Sequence, residues 1–256
     1  MKRLCKLSSI GSALLIATTA MAQQDQPAPT PLLEIFPCTY RGDNDIDNLR
    51  TVATRFNTWA DRNGVTNYTA FLATPYAYSA DLEADVLWLG GWPNGAAMGT
   101  EETRWLAEGD EISAAFDAVV DCTSHSLYAE VVTHQPSTPP PQNGVAMFQD
   151  CTLQENRTIA EVLAAAEQWA EYTTTNGAEE FSAMLFPLAG LAGDADYDFK
   201  VVAGFDSMQA FGKATDVYTG GGFLRGEELF GRLVTCNSAR IYTLELVRVS
   251  AATPSG

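Results

Sequence analysis

Two stretches of this sequence repeat one another: "DCTSHSLYAEVV", Asp121 to Val132, and "TCNSARIYTLEL", Thr235 to Leu246. Laid together at an offset of 114 residues, they put Cys122 on Cys236, Ser124 on Ser238 and Tyr128 on Tyr242. The alternating apolar residues that follow each cysteine read as a strand. A chain that writes one Cys-led strand twice reads as a duplicated chain, and the duplication decides the fold.

The register continues backward from these strands through most of each half. "FPCT" at Phe36 to Thr39 matches "FQDCT" at Phe148 to Thr152, and "TWAD" at Thr58 matches "QWAE" at Gln168. "NYTAFLATP" from Asn67 is set against "EFSAMLFP" from Glu180, "ADVLWLGGWPN" from Ala84 against "YDFKVVAGFDS" from Tyr197, and Gly99 against Gly212. Cys38 and Cys122 are 84 residues apart, Cys151 and Cys236 85. Four cysteines allow three connectivities, and the matched separations favour Cys38 with Cys122 and Cys151 with Cys236, one staple per half. No Cys-x-x-Cys occurs, which argues against redox chemistry. Between the copies, residues 135–144 hold three consecutive prolines and read as a stiff linker. The modules then span 32–134 and 145–250, with a tail at 251–256.

Each half reads as strand, helix, strand, strand, helix, strand. Leu49, Val52, Ala53, Phe56, Trp59 and Ala60 follow helical spacing in the first, and Ile159, Val162, Leu163, Ala166, Trp169 and Ala170 in the second. Thr158 with Glu161 forms a capping box, Asn63-Gly64 and Asn176-Gly177 end the helices, and Asn94 and Ser207 stand where the next N-caps are expected. The second helical segment is less regular in both halves, "GTEETRWLAEGDE" in one and "YTGGGFLRGEE" in the other, and predicts a broken helix or a short helix, loop and helix.

The N-terminus, "MKRLCKLSSIGSALLIATTAMA", has a basic start, a short apolar core and a small-x-small site at Ala20 to Ala22. It reads as a signal peptide over residues 1–22, followed by a flexible segment at 23–31. Cys5 would leave with it. Cleavage takes three of the 15 basic residues and none of the 32 acidic ones, leaving a formal charge of −20. Such a surface excludes nucleic acid and anionic membrane as natural partners. The expectation is an exported protein, periplasmic or secreted, with no membrane association after cleavage.

The duplicated βαββαβ order resembles the dimeric α+β barrel superfamily of ferredoxin-like modules, which includes stress-responsive barrel proteins, antibiotic-biosynthesis-type monooxygenases and chlorite dismutase-like haem proteins. The resemblance covers nearly the whole mature chain and implies an α+β fold in which one polypeptide supplies both halves of a barrel. It also implies ligands between sheet and helices or inside the barrel. The chlorite dismutase-like proteins use a proximal histidine in the second module; this chain has only His125 and His134, both in the first. No cofactor is therefore expected.

His125 breaks the repeat, standing against Ala239, and is a candidate base. Lys200 replaces Leu87 in a central strand and is the other weak catalytic candidate; a buried lysine needs a partner, and near a strand start it can also reach solvent and pair with Asp198 or Glu180. Trp88, Trp92, Tyr76, Tyr128, Phe205 and Tyr242 are candidate pocket residues for a small apolar or aromatic ligand. Trp88 and Trp92 share strand parity, so one sheet face carries both indoles. The acidic runs at Asp43 to Asp47 and Asp194 to Asp198 lack the Gly and Glu of an EF-hand loop, and no metal is expected. Hydrolase, nucleotide and zinc-protease motifs are absent. Three readings follow: a ligand-binding barrel, a cofactor-independent monooxygenase or cyclase on a phenolic or polyketide-like substrate, and an interaction module without a pocket.

Overall fold

The computed structural model describes residues 29–136, 143–193 and 195–251. The signal segment with Cys5, most of the linker and most of the tail lie outside the described residues. The first half runs β1 (Leu32–Tyr40), α1 (Ile46–Arg62), β2 (Thr69–Ala77), β3 (Val86–Trp92), α2 (Gly95–Glu108), α3 (Asp110–Asp117), β4 (Val120–Cys122) and β5 (Ser126–His134). The second runs β6 (Asn143–Leu153), α4 (Ile159–Thr175), β7 (Phe181–Ala189), β8 (Phe199–Phe205), α5 (Met208–Val217), a π-helical turn (Tyr218–Gly222), α6 (Phe223–Phe230), β9 (Val234–Cys236) and β10 (Arg240–Arg248).

Local chemistry sets the helix ends. Asp45 and Asn48 exchange side-chain and backbone hydrogen bonds as a capping box on α1, and Thr158 and Glu161 do the same on α4. Asn94 and Ser207 each cap the second helical segment. That segment breaks at Gly109 in the first half and at Gly221, with φ of 131°, in the second.

Eight strands close into an antiparallel barrel in the order β1, β5, β7, β8, β6, β10, β2, β3 and back to β1. Strand parity divides the side chains. Ile35, Leu89, Tyr128, Phe148, Leu185 and Tyr242 fill the barrel, while Cys38, Leu72 and Val86 face outward onto Leu49 and Val52 of α1. The short strands β4 and β9 pair with the C-terminal ends of β1 and β6, setting Cys38 opposite Cys122 and Cys151 opposite Cys236. Both pairs are disulfide-bonded, with Cα atoms 3.9 and 4.1 Å apart. The two bridges fit an oxidising environment. Among the described residues no helix is long and apolar enough to cross a membrane.

Three local expectations change. The last strand of each half is broken after its cysteine, so residues 123–125 leave the ladder between β4 and β5. Strand β6 begins at Asn143, inside the expected linker. The match of Asn67 with Glu180 shifts by one: Thr69 pairs with Gly91 where Phe181 pairs with Gly204, which equates Tyr68 with Glu180. A length difference inside a paired strand would need a bulge and would turn its side chains to the wrong face, so it falls in the loops instead.

Candidate functional site

A cavity of about 550 Å³ lies between the outer face of the first half's sheet and helices α1 to α3. The sheet contributes Glu34, Phe36, Trp88 and Trp92, and the helices contribute Phe56, Trp59, Trp105 and Phe116. The rings meet mostly edge to face: Phe56 lies 5.5 Å from Trp88 at 89°, and Trp59 lies 5.1 Å from Trp105 at 86°. Trp59 is fixed from behind by an Nε1 hydrogen bond of 2.9 Å to the Glu108 carbonyl.

A short polar chain runs through this aromatic wall. Trp88 Nε1 donates to the Tyr68 hydroxyl at 2.7 Å, and that hydroxyl donates to Glu34 Oε1 at 2.5 Å. The other carboxylate oxygen, Glu34 Oε2, lies 2.8 Å from His125 Nε2. Glu34 is only 5% exposed, and these partners satisfy both of its carboxyl oxygens. His125 occupies the break between β4 and β5, half exposed, its ring stacked on Phe36 at 3.9 Å. Gly90 makes the room: a Cβ there would lie 2.0 Å from the Tyr68 hydroxyl and 2.5 Å from Glu34 Oε1.

The electrostatics follow from this arrangement. Burial, then the neighbouring Glu34, hold the Tyr68 phenol well above its usual range, so Tyr68 remains a donor. The hydrogen bond to Glu34 raises the His125 pKa above the ordinary imidazole value against the opposing effect of burial. Burial, followed by repulsion from Glu34, raises Glu102, which also lines the cavity. Glu101 accepts from the backbone N–H groups of Thr66 and Asn67, both at 2.8 Å, while its Oε2 and the Trp92 Nε1 are buried without a partner. The site is thus an aromatic cavity with a buried carboxylate that steadies an imidazole at its edge.

The other expected residues lie elsewhere. Lys200 points into the barrel and pairs with Asp150, directly across the β6–β8 ladder, rather than with Asp198 or Glu180. Asp198 instead accepts from the Leu153 backbone N–H at 2.7 Å, and Glu180 is paired with the Trp169 side chain. Arg240 reaches the second Asp150 oxygen at 2.5 Å, and Lys200 lies over the Tyr197 ring at 4.1 Å. Tyr128 bonds Tyr197 at 2.9 Å, and Tyr128 and Tyr242 belong to the packed barrel interior. Phe205 is buried at the barrel's other end, beside a second cavity. Tyr76 is 60% exposed and lines neither of the two cavities. Glu34 and Tyr68 escaped the sequence reading altogether.

The donors do not fit a histidine-ligated haem. The second half has no histidine, His134 ends β5, and the Nε2 of His125 is engaged by Glu34. Among the described residues no three His, Cys, Asp or Glu side chains gather as a metal site. In the acidic runs, Asp45 caps α1 and Asp47 pairs with Arg50 at 2.6 Å.

A closed eight-stranded barrel wrapped by helices, with a cavity between sheet and helix, defines the dimeric α+β barrel fold, here with both halves on one chain. No model of a known protein family matches the sequence, and no curated protein matches it. Solved structures do. A candidate monooxygenase from Fusobacterium nucleatum is 7% identical with a TM-score of 0.56, covering 87% of this chain and 94% of that one. A candidate monooxygenase from Lactobacillus acidophilus is 11% identical with a TM-score of 0.53, covering 87% and 97%. An anthrone oxidase-like protein is 13% identical with a TM-score of 0.51, covering 88% and 94%. At these identities the likeness is one of fold.

Proposed function

We propose that the protein binds a small, largely apolar aromatic molecule between sheet and helices of its first half and removes a proton from it, as a cofactor-independent monooxygenase or cyclase on a phenolic or polyketide-like substrate. The observation that carries this reading is the 2.8 Å contact of His125 with Glu34 at the edge of an aromatic cavity. With the imidazole neutral, Nε2–H donates to Glu34 and the Nδ1 lone pair is the base. The carboxylate stabilises the imidazolium that forms, and the Trp88–Tyr68 chain holds that carboxylate in place. The names of the similar structures support the oxygenase reading. A cavity of about 550 Å³ speaks against an interaction module with a filled core.

An anthrone illustrates the chemistry. Its C–H proton passes to Nδ1, the electron pair left on carbon reduces dioxygen as a C–O bond forms, and the resulting hydroperoxide loses water to leave a quinone. The wild-type protein should consume dioxygen and release anthraquinone from anthrone. His125→Ala should lower kcat by about 10²-fold or more while ligand binding, followed by tryptophan fluorescence, persists. Unchanged turnover in that variant removes His125 from the reaction. Binding without turnover by the wild type would leave a carrier of aromatic molecules.

Export belongs to the same proposal, supported by the two disulfides and the N-terminal sequence pattern. N-terminal sequencing of protein from an exporting host should begin at Gln23; a start at Met1 would refute cleavage.

A further inference from the structure

The barrel interior is polar at one end and hollow at the other. At the polar end Asp150 is held by Lys200 and Arg240, with Tyr128 and Tyr197 hydrogen-bonded beside them. Towards the starts of β1 and β6 the interior opens into a cavity of about 480 Å³. Its inner wall is apolar, with Phe71, Leu89, Phe148 and Val202 among the residues that form it. The charged residues that line it are Glu130, Glu179 and Asp206, three acids and no base.

Glu130 is the anomaly. In the aligned strands it stands against Leu244, which lines the same cavity. Across the β5–β7 ladder it faces Leu185, a fully buried residue of the barrel core. Its carboxyl has no hydrogen-bond or ion-pair partner among the described residues, and burial alone raises its pKa to about 6. Asp150 shows what an acid in this barrel requires when it serves the fold: two cations. Glu130 has none, so packing gives no account of an acid at this position.

We infer that the open end of the barrel is a second ligand site, for a protonated amine carrying an apolar or aromatic body. The ammonium pairs with Glu130, and the body lies against Phe71 and Phe148, whose ring faces also attract a cation. This site does not depend on the chemistry assigned to His125. Trp92 lines both cavities and forms part of the wall between them.

The test is calorimetric titration at about pH 8, where Glu130 is ionised, with 2-phenylethylamine and its neutral counterpart 2-phenylethanol. The wild type should bind the amine about tenfold more tightly than the alcohol. Glu130→Gln should remove that preference, weakening the amine about tenfold and leaving the alcohol within about twofold. The substitution is isosteric and removes an unpaired, partly buried charge, so melting followed by circular dichroism should show no loss of stability. His125→Ala should leave amine binding unchanged, which locates the site in the barrel. Equal affinity for amine and alcohol, unchanged amine affinity in Glu130→Gln, loss of amine binding in His125→Ala, or no amine binding by the wild type at millimolar concentration would each overturn the inference.

Discussion

Adding one methyl group at Gly90 should dismantle the polar chain behind His125. The new Cβ would lie 2.0 Å from the Tyr68 hydroxyl, 2.6 Å from its ring carbon and 2.5 Å from Glu34 Oε1. An ordinary contact needs about 3.4 Å or more, so the tyrosine must retreat by more than an ångström. It has nowhere to go: the ring is buried, 5.8 Å from Phe56 and 4.8 Å from Trp92. Overpacking of this kind costs about 1–3 kcal/mol. Losing the hydrogen bond to a buried carboxylate adds about 1.5–3 kcal/mol. Replacing glycine in a strand returns about 0.5–1 kcal/mol of backbone entropy. The clash wins, and Gly90→Ala should destabilise the protein by about 3 kcal/mol, lowering Tm by about 6–12 °C for a chain of this size. Denaturant unfolding with an unchanged m-value gives the number directly. Tyr68→Phe removes the atom that the methyl strikes, so the double variant should recover about 1 kcal/mol or more of the loss. A Gly90→Ala protein within about 0.5 kcal/mol of wild type, or a double variant that is simply additive, would refute the geometry. The equated position in β8 is Ala203, in the half where Glu180 and Met147 stand in place of Tyr68 and Glu34.

Three further outcomes are expected. Lys200→Met leaves Asp150 with one ion pair, to Arg240, and the Asn237 amide that donates to its Oδ2 at 3.1 Å, and should cost about 2–3 kcal/mol in urea unfolding, below the cost of a fully orphaned buried charge because these partners remain. Burial raises Glu180 from 4.5 to about 7. Its folded state therefore holds the proton more tightly, so stability is full below about pH 4.5 and falls as pH rises through about 7. Glu180→Gln should gain about 3 kcal/mol at about pH 8 and little at about pH 4, and equal effects at both would exclude a raised pKa. Each disulfide closes a loop of more than 80 residues, so Cys151→Ala with Cys236→Ala should lose about 4 kcal/mol; a protein as stable as wild type would mean that the bridge does not restrain the unfolded chain.

The order of elements was legible because the Cys-led strands, helical stripes and caps are local signals that occur twice. Barrel closure was not, since no residue of β10 announces that it pairs with β2 as well as β6; only the resemblance supplied it. Within the site, parity placed Trp88 and Trp92 on one face, and the break in the repeat singled out His125. Glu34 was missed although a signal was present: it shares strand parity with Leu32, Phe36 and Cys38, an acid among residues that face the helices. Tyr68 was hidden by the one-residue slip that set Asn67 against Glu180. The partner of Lys200 was also recoverable. Where Pro37 faces Leu87 in the first half, Asp150 faces Lys200 in the second, a paired exchange of apolar for ionic.

Strand β10 also decides when the barrel exists at all. It is hydrogen-bonded to β2, about 170 residues earlier, on one side and to β6 on the other, and it ends at Arg248. Until that latch is in place, β2 and β6 are open edges, each a template for pairing with a strand of another chain. A chain that is stopped or clipped before Arg240 would present both edges permanently, so release from the ribosome and protection from proteolysis at the C-terminal strand control whether this protein is a closed vessel or a precursor of aggregates.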